Sequence, residues 1–248
     1  MRIILIIPLI IACGGTEASN VAEFDSAPVA EATKATQPEP LVALVEQTHA
    51  IVGTEVDCPA VETVSHTPDA LHERWTGGCT MSDGTQVKGD LERFDGPNAA
   101  WVVGNNFRLQ KEQETTFMID GAVTLHVSGN LWLVEAAASV CGLENWMCTD
   151  GFLGLDLSFT LYPAQGFPND YDTTVSGVVA TNSSPLTVDG AWSINSELCE
   201  VEPVTGLLTV SQGDHHSFTL NGAFACDGCG DWQVQGQPTP GLCGIAPR

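Results

Sequence analysis

A five-residue pattern recurs along this chain: an aliphatic residue, any residue, glycine, any residue, then usually a second apolar one. The late copies are Val175-Ser-Gly177-Val-Val179, Val188-Asp-Gly190-Ala-Trp192, Val204-Thr-Gly206-Leu-Leu208, Leu220-Asn-Gly222-Ala-Phe224 and the partial Val234-Gln-Gly236. Earlier ones are Val87-Lys-Gly89-Asp-Leu91, Ile119-Asp-Gly121-Ala-Val123 and Val127-Ser-Gly129-Asn-Leu131. In a strand, residues i, i+2 and i+4 share a face. Each full copy therefore sets a glycine between two apolar side chains on the buried face. Glycine there lets a strand bend and a sheet curl. The late glycines recur roughly every 13–16 residues, one strand plus a turn. Hairpin tips are the competing reading of individual copies, because glycine also marks turns. The expected fold is all-β: an antiparallel meander curling into a barrel-like or sandwich sheet.

The rest of the chain agrees with that period. Leu153, Leu155, Leu157, Phe159 and Leu161 alternate with Asp156, Ser158 and Thr160, as in a sheet with one wet face. Ala60–Ser65, Leu71–Thr76, Thr85–Phe94 and Thr115–Val127 read as strands. Thr67-Pro-Asp69, Ser82-Asp-Gly84 and Asp95-Gly-Pro-Asn98 read as turns. Trp101–Val103 and Phe107–Leu109 read as two short strands. Leu131–Val140 is read as a strand despite its Glu135-Ala-Ala-Ala run, which favours helix. Pro163–Asp172 reads as a polar loop. Leu41, Leu44 and Val45 fit helical spacing after Pro40, with Ile51 and Val52 extending the stripe to Gly53. Thr48 interrupts it. One short helix before the first strand is expected.

The apolar share of 43% supports a proper core in a chain of 248 residues. The formal charge of −23 comes from 31 acidic and 8 basic residues. Phosphate backbones need clustered Lys and Arg, so nucleic acid is excluded as the expected partner. Adsorption to anionic lipid is disfavoured for the same reason.

Met1-Arg2, the apolar run Ile3–Ile11 and then Ile10-Ile11-Ala12-Cys13 resemble the signal peptide and lipobox of bacterial lipoproteins. The resemblance implies a leader over 1–12, removed after a diacylglycerol is attached to the Cys13 sulfur. It also implies acylation, for instance by palmitate, of the new amino group. Several acyl chains anchor stably where one does not. Gly14 in place of Asp implies the outer membrane. Residues 13–40 are rich in Ala, Glu, Thr, Ser and Pro, a composition that reads as a disordered lipidated tether. A single β domain is then expected over 41–248. Cys58-Pro59, Trp75-Thr-Gly-Gly-Cys-Thr80 and Asp83-Gly-Thr85 are loosely similar to segments of Cys-containing all-β lipoproteins of unassigned activity.

Eight further cysteines, Cys58, Cys79, Cys141, Cys148, Cys199, Cys226, Cys229 and Cys243, make an even set in an exported chain. They are disulfide candidates. Proximity favours Cys58–Cys79 and Cys141–Cys148, leaving the last four to pair among themselves. Cys226-Asp-Gly-Cys229 read as a redox or zinc motif is the sharper alternative. Its glycines suggest a turn instead of a helix start, and zinc needs two more ligands.

No His-Glu-x-x-His and no Gly-x-Ser-x-Gly elbow occurs. His215-His216 reads as a hairpin tip, since adjacent strand residues point to opposite faces. His66 and His72 flank a turn, with Glu73 beside the second. Pro168-Asn-Asp-Tyr-Asp172 offers clustered oxygens of the kind Ca2+ uses. Trp192 falls in the inward register. Trp75, Trp101, Trp132, Trp146 and Trp232 are candidates for a sugar-stacking surface. No catalytic residue, metal ligand or cofactor is assigned. The expectation is a lipid-anchored outer-membrane protein with a structural or ligand-binding role, its partner an envelope protein or glycan. The alternatives are an extracytoplasmic hydrolase using scattered carboxylates and histidines, or a Ca2+-dependent adhesion or glycan-binding module.

Overall fold

The computed structural model describes residues 27–53, 55, 57–143, 146–148, 151–181, 185–199, 204–212, 216–221, 231–234 and 236–238. Three helices come first: α1 (Ala27–Ala35), α2 (Glu39–Glu46) and α3 (Thr48–Val52). Strands follow to the end of the described chain. They are β1 (Ala60–Thr67), β2 (Ala70–Thr76), β3 (Cys79–Thr80), β4 (Gln86–Asp95), β5 (Ala99–Lys111), β6 (Glu114–Ser128) and β7 (Leu131–Cys141). Then come β8 (Leu153–Gly166), β9 (Asp170–Ala180), β10 (Pro185–Asn195), β11 (Thr205–Gln212), β12 (His216–Asn221), β13 (Asp231–Val234) and β14 (Gln237–Pro238). All join one antiparallel sheet in chain order, with β3 pairing off the path to β4. Among the described residues the sheet is the expected curling antiparallel meander, open at β1 and β14 and not closed into a barrel. Among the described residues, no helix is long and apolar enough to cross a membrane.

Alternation assigns the two faces. Val87, Leu91, Val102, Ile119, Val123, Val134, Leu155, Phe159, Val175, Val188 and Leu208 are buried on one face in one continuous core. A single sheet has no second sheet to cover that face, so the helices cover it. Helix α2 packs against β4, β5, β6 and β7, and α1 against β9, β10 and β11. Pro40, Leu41, Val42, Leu44 and Val45 of α2 are all buried. Residues 41 to 45 cover more than one side of a helix, so the sheet must curl round it. The helix ends where the stripe falters. Thr48 is buried, and its Oγ1 donates to Leu44 O at 2.6 Å and also reaches Val45 O. That back-bonding accompanies the break between α2 and α3.

The tether expectation fails from residue 27 onward. Helix α1 is made of Ala27-Pro-Val-Ala-Glu-Ala-Thr-Lys-Ala35, and Val29, Ala32, Thr33, Ala35 and Thr36 are buried. Small side chains look like linker in a sequence; here they allow close approach to β9–β11. Residues 1–26, including Cys13, lie outside the described residues.

The glycine pattern lies within strands at Gly89, Gly121, Gly177, Gly190 and Gly206. Gly129 and Gly236 instead sit in hairpin turns, and Gly222 lies outside the described residues. At Gly177 a Cβ would stand 2.0 Å from the Asp156 carbonyl oxygen, and φ is +141°. Only glycine lets β8 and β9 approach this closely with that backbone.

Three local readings change. The two short strands before Leu109 are one, β5, with a bulge at Asn105-Asn106 where the register with β6 shifts. Asn106 has φ +49°, and its N–H donates to Asp120 Oδ1 at 3.0 Å. A polar interruption marked a bulge, not a loop. The loop expected over 163–172 is short, because β8 runs to Gly166 and β9 starts at Asp170. Tyr171, read as loop, is buried, with Phe167 between it and Trp132 at centroid distances of 5.2 and 5.3 Å. The Leu131–Cys141 segment is strand, as read.

Gly177→Ala is expected to destabilise the fold by at least about 2 kcal/mol, through the backbone clash and the unfavourable φ. Gly129→Asn, at an open turn, should change stability by less than about 1 kcal/mol. Urea unfolding of both variants measures the difference.

Candidate functional site

Two polar constellations stand out, one inside the curl and one outside. The inner one pins α3 to the sheet. Glu73 of β2 and Arg93 of β4 are register partners. Their side chains are buried, 10% and 6% exposed, and Arg93 Nη1 lies 3.4 Å from Glu73 Oε2. The same oxygen lies 2.9 Å from His49 Nε2 of α3 and accepts from Trp75 Nε1 at 3.4 Å. Arg93 Nη2 also reaches Asp95 at 3.3 Å. Burial, then the Asp95 charge, raises the Glu46 carboxyl above its ordinary value. Farther along the inner face, the Tyr171 hydroxyl donates to Glu39 at the start of α2. Burial and the neighbouring carboxylate push that phenol well above its usual range. Both contacts tie helix to sheet.

The outer constellation runs across the strands. Register places His72, Phe94, Trp101, Thr124, Glu135, Ser158, Ser176 and Asp189 in one cross-strand row. The adjacent outward row is Arg74, Glu92, Val103, Ala122, Ala137, Asp156 and Val178. Phe94 and Trp101 stack at 5.9 Å with planes 17° apart, and His72 meets Trp101 edge-on at 5.3 Å. Arg74 Nε donates to Glu92 Oε1 at 2.8 Å, which holds the Glu92 carboxyl below the usual range. His72 Nε2 stands 3.5 Å from the other Glu92 oxygen.

Beside these aromatics lies a depression of about 430 Å³ over β6–β9. Its outward side chains are Ala122, Thr124, Glu135, Ala137, Asp156, Ser158 and Ser176. Small residues at Ala122 and Ala137 create the hollow, and the close β8–β9 approach at Gly177 shapes its far wall. Among the described residues, neither the Glu135 nor the Asp156 side chain has a hydrogen-bond or ion-pair partner. Thr124 Oγ1 is enclosed and unpartnered. The remaining outward residues of β6–β10 include Asp120, His126, Thr160, Asp172, Thr174 and Asp189. That polar face suits water; the outer band of a membrane-spanning barrel is apolar.

The residues singled out in the sequence divide as follows. Cys58 pairs with Cys79 and Cys141 with Cys148, Cα–Cα 5.7 and 4.9 Å. Cys199 is disulfide-bonded; Cys226, Cys229 and Cys243 lie outside the described residues. His215 also lies outside them, and His216 begins β12. His66 is exposed on β1. The oxygens of 168–172 diverge: Tyr171 turns inward to Glu39, while Asp172 accepts from Ser193 Oγ on the outer face. Among the described residues, no group of three or more His, Cys, Asp or Glu is arranged to hold a metal ion. Trp75, Trp146 and Trp192 are core, and Trp132 is half-buried against it. Trp101 is half-buried on the outer face. Phe94, Glu135 and Asp156 were not singled out: alternation assigns their face, but only the register sets them beside Trp101 and Thr124. Comparison with protein families, with curated proteins and with solved structures found no match.

Glu73→Ala leaves Arg93 buried with Asp95 as its remaining counter-charge, an expected loss of about 3 kcal/mol. The double change Glu73→Met with Arg93→Met should recover most of it. Thermal melts of the three proteins test this; equal melting temperatures would show that the pin contributes nothing.

Proposed function

We propose that this chain is a lipid-anchored envelope protein that binds a ligand or partner on the outer face of its sheet and does no chemistry there. The observation that carries the binding role is the outward depression with its unpaired Glu135 and Asp156 beside the Phe94–Trp101 stack. Binding sites are typically concave, mostly apolar, and furnished with a few convergent polar groups. The anchor rests on the Ile10-Ile11-Ala12-Cys13 sequence, and Gly14 favours the outer membrane. The cystines fit an oxidising compartment. The inner polar groups are committed to holding α2 and α3, which leaves the outer face for recognition.

Cys13→Ala tests the anchor. The wild-type protein should take up labelled palmitate and sediment with outer membranes, and the variant should do neither. A variant that still sediments with membranes would show that something other than Cys13 holds the protein there.

A further inference from the structure

The geometry points to a carbohydrate free of acidic groups as the ligand of the outer stripe between Trp101 and Ser176. This inference rests on the binding role above and names its ligand class. Three features together select the chemistry. First, the half-buried Phe94–Trp101 stack, its planes 17° apart, lies on the outer face one strand from Thr124, which lines the depression. In the register Trp101 lies between Phe94 and Thr124, and Phe94 of β4 and His72 of β2 both pack against the indole. An aromatic surface held in this way is a platform for the C–H face of a pyranose ring, apolar on one side and wet on the other.

Second, the hollow is lined with oxygens. Glu135 and Asp156 accept hydrogen bonds only, and Ser158 and Ser176 both accept and donate. A ligand rich in hydroxyl donors matches an acceptor-rich surface. Third, the charge excludes alternatives. Glu135 and Asp156 carry no compensating cation among the described residues, and the chain is at −23. Phosphates, sulfates and uronic acids would be repelled. An amino sugar gains from the same field. A lysine-rich peptide is the competing occupant, since it would satisfy the carboxylates and set an ammonium over the indole; the binding test separates the two.

The stripe also has the right form for a chain of sugars. It crosses four strand intervals from β5 to β9, roughly 19 Å at the usual interstrand spacing. The outward residues of its two rows are aligned by register on β6 through β9 over the segments that line the depression.

The test uses the full-length protein in a detergent without a sugar headgroup, on an array of neutral, amino and acidic oligosaccharides. Titration calorimetry follows with cellotetraose, chitotetraose, its de-N-acetylated form and tetragalacturonic acid. Neutral or amino oligosaccharides should bind, and tetragalacturonic acid should not. Trp101→Ala, and separately Glu135→Gln with Asp156→Asn, should each weaken binding at least tenfold, while Met147→Ser on an exposed loop should not. Unchanged melting curves would show that the variants are folded. The assignment is overturned if no neutral or amino sugar binds, if Trp101→Ala leaves affinity intact, or if only a lysine-rich peptide binds. If sugars fail to bind while Cys13→Ala still releases the protein from membranes, the ligand class is wrong and the anchored-protein reading survives.

Discussion

A sheet with one apolar face must bury that face against something, and the described residues form a single sheet. The second layer is supplied by the first helices of the described chain. Leu41, Leu44 and Val45 of α2 enter the concavity between β4 and β7, with Val42 buried beside them. Helix α1 does the same against β9–β11 with smaller side chains. Burying a leucine or valine removes about 1.5–3 kcal/mol of unfavourable hydration. The helices would also be too short to persist alone in water. Sheet and helices therefore form one cooperative unit, each supplying the surface the other lacks.

The curl that makes this possible is written into the backbone. At Gly177 the neighbouring strand passes where any side chain would sit. Bulges at Asn105-Asn106 and near Gly89 bend β4 and β5 in the same region that wraps α2. The cystines then fix the periphery. Cys58–Cys79 joins the segment before β1 to β3, and Cys141–Cys148 closes the turn after β7. The Glu73–Arg93–His49 contact fastens α3 at one end, and Tyr171–Glu39 fastens α2 at its start. These inner polar groups are spent on holding the helices to the sheet.

Much of the sheet was legible because side-chain alternation is a local property. Leu153 to Leu161 states its own face, and five of the glycine-centred copies fell inside strands as their spacing implied. Two glycines, Gly129 and Gly236, fit the same pattern and lie in turns, since composition alone does not separate a bend from a hairpin tip. Helix α1 was hidden because Ala32, Thr33 and Ala35 give no amphipathic stripe; their burial depends on how near β9–β11 come. The outer stripe was hidden for a different reason. Phe94, Trp101, Glu135 and Asp156 are each ordinary outward residues, and what groups them is the pairing register of β4 through β8. The two nearest-neighbour disulfides followed from loop closure between close cysteines.

Hydrogen exchange at the α2 amides is the most direct measurement of the shared core. If helix and sheet are one unit, the amides of Leu44 and Val45 should exchange only through global opening, with the same free energy as β6–β8. Exchange of α2 at rates near those of an unprotected peptide, with β6–β8 still fully protected, would contradict the account. It would show a sheet that holds its curl without the helices inside it.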